Sequence, residues 1–556
     1  MKIKLNIQII IIKNKKMSDY MESSKLDSWL NVQLICKPEQ SGKTFIMIQQ
    51  IIKDITEPID GKEIINIIFC DQSLLLVKQT SERVQTELFN YYTDSEKNVY
   101  LELSSSKGAD CHNSAEVLKE IISNNIKNII CCTNATRMNN VYELIDILNK
   151  GSHIVHNFHF NIWLDEADKW IKFIDSYLIP IVETNKNVNI KLITSTPAPL
   201  FKKYKYLNVF PIENTTSDEY HGWSDNNIQI INEHVEDYLE YIEHILTLCP
   251  EGINPGAKWF IPALNKKSTH NAVIRLCITK NMAVICVNGD GILLTMPNSD
   301  TIMCEKTEEL KVTINTLYKK YKLYKFPLVI TGHICVSRGI SIISETFMFD
   351  YGILSHYNSK NEASQLAGRL KGNIKSFANY KPTKVFTTDD FNKVAYEWEQ
   401  KSRNLAKLSF EKMKQSELTI INKNEFDTCN KTYEYIKHTV LFDTFEECKK
   451  FLDRVDIKSY MNLKKSLSSK DFKTQSPIHR IEGYAVTSKL LKAGQTVDNL
   501  TKEMRLTLDE ANNIVESRCI SSTDKGSRYL ILPVYQYLDT PPNKEKYQLR
   551  YIKFNK

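Results

Sequence analysis

None of the 13 cysteines in this sequence forms a C-x-x-C pair with another. That excludes the common cysteine-rich zinc modules and fits a reducing compartment. His153, His156 and His159 recur at a regular spacing, but no cysteine or acidic cluster accompanies them, so a metal site there would lack its remaining ligands. Also missing is an apolar run of membrane-spanning length. The segment Leu5–Ile12, set between lysines, is too short to cross a bilayer and has no small-residue cleavage site after it. No nuclease-type acidic cluster is visible either. These absences predict a soluble intracellular protein with no membrane partner. Residues 1–28 read as an N-terminal extension, with Met17 as an alternative start.

What is present is enough material for about three or four domains in 556 residues. Hydrophobic residues make up 42% and charged residues 25%, the balance of a folded chain. The formal net charge of +7 is unevenly placed, because residues 401–556 alone hold 29 Lys and Arg against 20 Asp and Glu. A basic tail attracts polyanions, although solvated lysine faces give the same count.

The stretch from Val32 to Ile52 organises the first third. An apolar run, Val32–Cys36, predicts a buried strand; a short polar loop, Gly42-Lys43-Thr44 and a helical pattern follow. That order is the order of a phosphate-binding loop. Amides of Gln40, Ser41 and Gly42 with the helix N-terminus would cradle phosphate oxygens. Lys43 would reach the β and γ phosphates, and the Thr44 hydroxyl would ligate Mg²⁺. The pattern G-x-x-x-x-G-K-[ST] wants glycine where Lys37 stands, and taken alone the stretch also fits a surface turn.

Further strands are predicted at 64–70, 128–132, 158–164 and 190–193, alternating with helices, which indicates a parallel α/β sheet. Asp165-Glu166-Ala167-Asp168 closes one strand and Thr194-Ser195-Thr196-Pro197 another. Asp165 can hold the Mg²⁺ already reached by Thr44, and Glu166 can orient and deprotonate an attacking water. The competing reading of Asp165-Glu166 is an acidic helix cap. A second α/β series is predicted from residue 226, with strands at 258–263, 283–287, 327–330 and 347–351. It closes on Gln365-Leu366-Ala367-Gly368-Arg369-Leu370-Lys371-Gly372, read as a helix.

Taken in order, these segments resemble the motifs of superfamily 2 helicases of the DEAD/DEAH-like kind. Gly42-Lys43-Thr44, Asp165-Glu166-Ala167-Asp168 and Thr194-Ser195-Thr196 resemble motifs I, II and III; Thr331-Gly332 to Arg338-Gly339 resembles motif V, and Gln365-x-x-Gly368-Arg369 motif VI. The resemblance implies two tandem RecA-like parallel-sheet motor domains, 29–215 and 226–400, with ATP and Mg²⁺ between them. It implies catalytic roles for Lys43, Glu166, Gln365 and Arg369, the last as an arginine finger, with Gly339 also at the ATP. Asp165 and Thr44 would hold the metal, and Thr194, Ser195 and Thr196 would couple hydrolysis to movement. Gln72, Thr133 and Asn134, at the places of motifs Ia and Ib, and Thr331 and Gly332 would touch nucleic acid. Gly372 stands where many relatives carry a second arginine, so Lys371 is expected to substitute for it imperfectly, a point charge in place of a planar fork. No glutamine motif is visible upstream at 17–32, and the set looks closer to the divergent members found in large DNA viruses and phages. A viral chain would work in the host cytoplasm or the virion.

The remainder reads as a helical connector, 401–470, and a C-terminal accessory domain, 471–556, forming a basic α+β extension. Helices at 484–491, 496–505 and 508–515 followed by a hairpin (528–535 with 547–552) make a winged-helix-like order, which would set Lys525, Arg528, Lys544 and Lys546 on phosphates. An oligomerisation or partner-binding module is the alternative. The expected function is an ATP-dependent helicase acting on DNA or RNA, with transcription or replication machinery as further partners. The rivals are a duplex translocase that does not separate strands and a nucleic-acid-binding assembly protein with a weakened motor.

Overall fold

The computed structural model describes residues 30–57, 62–71, 74–91, 99–105, 108–150, 157–304, 310–332, 342–415, 419–430, 433–438, 440–454, 478–481, 484–487, 506–513, 529–537, 539–541 and 544–554. The N-terminal extension, His153, His156, Gln72, Arg338 and Gly339 lie outside them. The chain divides into two compact units, Met1–Asn430 and Lys431–Lys556.

The first unit contains two eight-stranded sheets. In space the first runs Ile420–Asn422, Tyr206–Val209, Val32–Cys36, Val188–Thr194, Asn157–Leu164, Lys62–Cys70, Asn128–Cys132, Leu101–Leu103. Every neighbouring pair is parallel except the outermost, Ile420–Asn422 on Tyr206–Val209. The central strands are continuous Ile, Phe and Cys runs because both faces are covered. Ile65, Ile67 and Phe69 point into one core; Ile68 and Cys70 point into the other, against Met47, Ile48, Ile51 and Ile52 of the helix Lys43–Thr56.

The second sheet runs Thr301–Cys304, Gly291–Thr295, Ala283–Asn288, Leu328–Gly332, Lys258–Phe260, Tyr351–Leu354, Lys384–Thr387, Asn227–Ile230. It too is parallel, apart from the antiparallel meander from Ala283 to Cys304. Helices cover both faces: Leu310–Lys320 and Lys360–Ala367 on one, Tyr238–Leu248 and Lys267–Thr279 on the other. This is the α/β plan expected of tandem RecA-like domains.

Asn288 pairs with Gly291 across a tight hairpin turn. Two local expectations need correction. The strand expected at 347–351 lies instead at Tyr351–Leu354, and Phe347 turns back to bridge Ser344. The motif VI segment is helical only to Ala367, then tightens into a single 3-10 turn, Gly368–Leu370.

The boundary expected at 400 falls inside a 27-residue helix, Asp389–Gln415. Its first half packs Phe391, Val394 and Trp398 into the second domain, and Leu405 reaches the core of the first. The chain then adds Ile420–Asn422 to the first sheet, and Phe426 stacks on Phe201 with ring centroids 4.3 Å apart. Residues 401–430 therefore belong to the first unit and are no free connector. Lysine and asparagine are the commonest residues there, and the sparse apolar stripe that docks the segment is easily missed.

The second unit holds a five-stranded sheet in the order Tyr433–Lys437, Lys546–Phe554, Tyr529–Val534, Tyr484–Thr487, Ile478–Ile481. The expected hairpin is present, as Tyr529–Val534 paired antiparallel with Lys546–Phe554. The first helix of the expected winged-helix order is instead a strand, Tyr484–Thr487, paired with Ile478–Ile481; Leu508–Asn513 is helical, and the helix expected at 496–505, Lys525 and Arg528 lie outside the described residues. Phe445–Arg454 packs Cys448 and Leu452 on the sheet, which makes the unit α+β.

Gly252 shows how tightly the second domain is packed. Its carbonyl accepts a hydrogen bond from Trp259 Nε1 at 2.6 Å, and a Cβ there would lie 2.2 Å from Trp259 Cζ2. Gly252→Ala should lower stability by about 1–3 kcal/mol in urea unfolding. Gly108→Ala, with open space around it, should stay within about 0.5 kcal/mol of the parent.

Candidate nucleotide-binding site

The strand Val32–Cys36 releases the chain at the carboxyl edge of the first sheet, where open α/β sheets bind ligands. The loop then makes a tight arch. Ser41 Oγ donates to the Pro38 carbonyl at 2.7 Å, and Gln40 and Gly42 take left-handed backbone angles, φ 56° and 95°. Gly42 suits that conformation because it has no Cβ. No side chain caps the helix that starts at Lys43, so the natural partner of its first-turn N–H groups is an anion. Lys37 is buried beneath the arch, its pKa lowered by burial and then by the neighbouring charge of Lys43.

The next strand end supplies acid. Asp165 leaves the sheet with its N–H on the Phe69 carbonyl at 3.0 Å, and the Glu166 N–H donates to Asp165 Oδ1 at 2.9 Å. Glu166 sits at φ 51°, a left-handed angle uncommon outside glycine. The Asp165 pKa is raised, by burial first, against the opposing pull of Lys43.

The second domain closes the site. Gln365 Nε2 donates to Glu166 Oε2 at 3.2 Å and to Ser195 Oγ at 3.1 Å. Thr194 Oγ1 donates to Asp168 Oδ1 at 2.7 Å, and Asn361 Nδ2 to the other oxygen of Asp168. Lys43, Thr44, Asp165, Glu166, Gln365 and Arg369 line one cavity of about 430 Å³. That is within the range of small-ligand sites. Residues more than 300 positions apart thus meet around one polar space. Thr44 and Asp165 offer hard oxygen donors, a set that suits Mg²⁺ completed by ligand phosphates and water.

Other predicted residues are placed differently. Thr196 is buried, and its N–H donates to Thr194 Oγ1 at 2.9 Å. Thr133 is also buried, its hydroxyl donating to the Cys70 carbonyl at 2.6 Å, and Asn134 Oδ1 accepts from the Arg137 N–H at 2.9 Å. Thr331 and Gly332 are buried at a strand end. Thr133 and Thr331 therefore present no side chain to a polymer in this conformation. His159 bonds Asn189 at 2.8 Å.

Lys371 is not where the sequence suggested. Its side chain is fully buried, and Nζ lies 3.1 Å from both Glu39 Oε2 and Glu399 Oε2. It does not line the cavity of Lys43 and Arg369. Burial acts against its charge, but the two carboxylates outweigh burial and hold the pKa above the ordinary lysine value. Glu39, Phe45, Arg83 and Lys311 line the cavity without having been singled out from sequence. Glu39 stands within the recognisable loop and Phe45 just after it, but nothing in the spacing marks Arg83 or Lys311.

No protein-family model and no curated protein matches the chain. Among solved structures it is similar to Mss116p, with NTE and C-tail deleted, bound to ssRNA and AMP-PNP (13% identity, 64% of this chain and 66% of that one, TM-score 0.37). It is also similar to the NS3-like helicase of Alongshan virus (12% identity, 65% and 73% coverage, TM-score 0.32). A third is the Hef helicase domain of Pyrococcus furiosus (8% identity, 67% and 96% coverage, TM-score 0.35). At these values the likeness assigns no residue a role.

Glu399 offers a pH test of the buried ion pair with Lys371. Burial would raise its pKa, but Lys371, the Trp223 N–H and Arg403 outweigh burial and hold it at about 2, below the ordinary 4.5. A depressed carboxyl stabilises the fold above its unfolded pKa and loses that contribution as pH falls through the folded one. Glu399→Gln should therefore cost roughly 3 kcal/mol at pH 7. The gap from wild type, followed by denaturant unfolding, should be constant above pH 4.5 and narrow as the pH falls towards about 2.

Proposed function

We propose that this protein is an ATP-driven nucleic-acid motor of the superfamily 2 helicase kind, hydrolysing ATP in the cleft between its two α/β domains. The observation that carries this reading is the meeting of Gln365 and Arg369 from one domain with Lys43, Thr44, Asp165 and Glu166 from the other around one cavity. The helix N-terminus and Lys43 bind the phosphates. Thr44 and Asp165 hold Mg²⁺, which when bound neutralises charge on the phosphate oxygens. Glu166 orients and deprotonates the attacking water, and Gln365 fixes the position of the Glu166 carboxylate. Arg369 stabilises the charge that develops on the transferred phosphoryl group. Thr194, Ser195 and Asp168 form a bonded path from the acidic strand end to Gln365 and Asn361, a route by which hydrolysis could be felt in the second domain. With Lys371 occupied by Glu39 and Glu399, Arg369 is the finger on that side of the cleft. DNA or RNA is the polymer on which the motor acts.

Lys43→Ala should abolish ATP turnover stimulated by nucleic acid; unchanged turnover in a clean preparation removes the assignment. Arg369→Ala should lower kcat roughly a thousandfold or more while the protein still binds ATP. Glu166→Gln should bind ATP yet turn it over at least about a hundredfold more slowly. Loss of ATP binding in that variant would mean that Glu166 has a different role. Stimulation by a panel of single- and double-stranded DNA and RNA at one salt concentration identifies the polymer. An ATPase indifferent to the whole panel would refute the motor reading.

A further inference from the structure

A loop that binds phosphate is a poor place for a carboxylate, yet Glu39 stands in this one and lines the same cavity as Lys43. The Glu39 side chain is almost wholly buried, so water does little to screen its charge. Its compensation comes from the second domain. Oε1 accepts from Ser364 Oγ, and Oε2 pairs with Lys371 Nζ at 3.1 Å. Lys371 pairs in turn with Glu399 Oε2, and Glu399 Oε1 takes Arg403 Nη2 at 2.7 Å. Four alternating charges, two of each sign, run from the phosphate loop through the turn after Arg369 to the long helix Asp389–Gln415. Their backbones are pressed together. Tyr220 Oη donates to the Glu39 carbonyl at 2.9 Å, and a Cβ on Gly368 would sit 2.7 Å from Glu39 Cβ.

We infer that Lys371 is a positioning residue for the nucleotide: reaching across from the second domain, it neutralises Glu39 so that the loop can accept the phosphates of ATP. Glu399 and Arg403 keep its side chain extended towards the loop. The phosphate site is then electrostatically complete only when both domains are in contact. Contact between the domains and nucleotide binding thereby favour each other, a coupling distinct from the action of Arg369. The inference rests on the nucleotide reading above.

A double-mutant cycle on the full chain tests it, with a fluorescent ATP analogue and Mg²⁺ as the probe and thermal unfolding as the check of folding. Lys371→Met should weaken binding at least about tenfold. Combining it with Glu39→Gln should bring binding back to within about threefold of Glu39→Gln alone, because the charge that needed neutralising is gone. If Lys371 merely supports the fold, the double variant will bind far more weakly than Glu39→Gln, and the inference is overturned. Comparing those two variants decides the matter even if Lys371→Met alone does not fold. If wild type binds the probe and Lys371→Met binds it equally well, this inference fails and the nucleotide reading stands. If wild type does not bind it, both fail.

Discussion

A lysine ammonium buried without water must be met by carboxylates, and few arrangements of the chain can bring two of them to one point. Lys371 meets that demand with Glu39 from the loop after the first strand and Glu399 from the long helix. The facing domain edges depend on this constraint. Because Lys371 is committed there, the turn Gly368–Leu370 lies against the loop, and Arg369, two residues earlier, is delivered to the cavity. Because the approach is so close, residue 368 has no room for a side chain. An ion chain of this kind adds little net stability compared with apolar packing, but it tolerates few alternative registers.

A second tie comes from the path of the chain. Between the domains, Tyr220-His221 pairs with Gly372-Asn373, and Trp223 is bonded by its N–H to Glu399. The helix Asp389–Gln415 then carries the chain back to the first domain, where Ile420–Asn422 becomes an edge strand. The cleft is thus bounded by a linker on the way out and a helix on the way back, and both touch the ion chain. Any opening of the cleft must act through these two crossings.

The parts of the fold legible in the sequence were those decided by neighbours along the chain. Runs such as Ile64–Cys70 and Asn128–Cys132 announce strands covered on both faces, because no polar residue alternates with the apolar ones strictly enough to reach water. Val32–Thr44 was legible as strand, loop and helix start for the same local reasons. Where the decisive neighbour lay elsewhere, the reading failed. Tyr484–Thr487 fits a short helix until a partner strand is supplied. Leu405, Ile421 and Phe426 look incidental among lysines until the first domain's core receives them.

The sequence by itself determined the inventory of the candidate site: a lysine and a threonine after a glycine, paired acids at a strand end, and a glutamine and an arginine at a fixed interval. Chemistry of this kind sits in contiguous motifs, because each motif is one strand end or one turn. The tertiary structure alone decided which of these groups face one another. It sent Lys371 to Glu39, 332 positions away, instead of to the cavity, and it buried Thr133 beneath the strand end. The reason is that a charge or hydroxyl is assigned its partner by desolvation, and which groups lose water together depends on how distant segments pack.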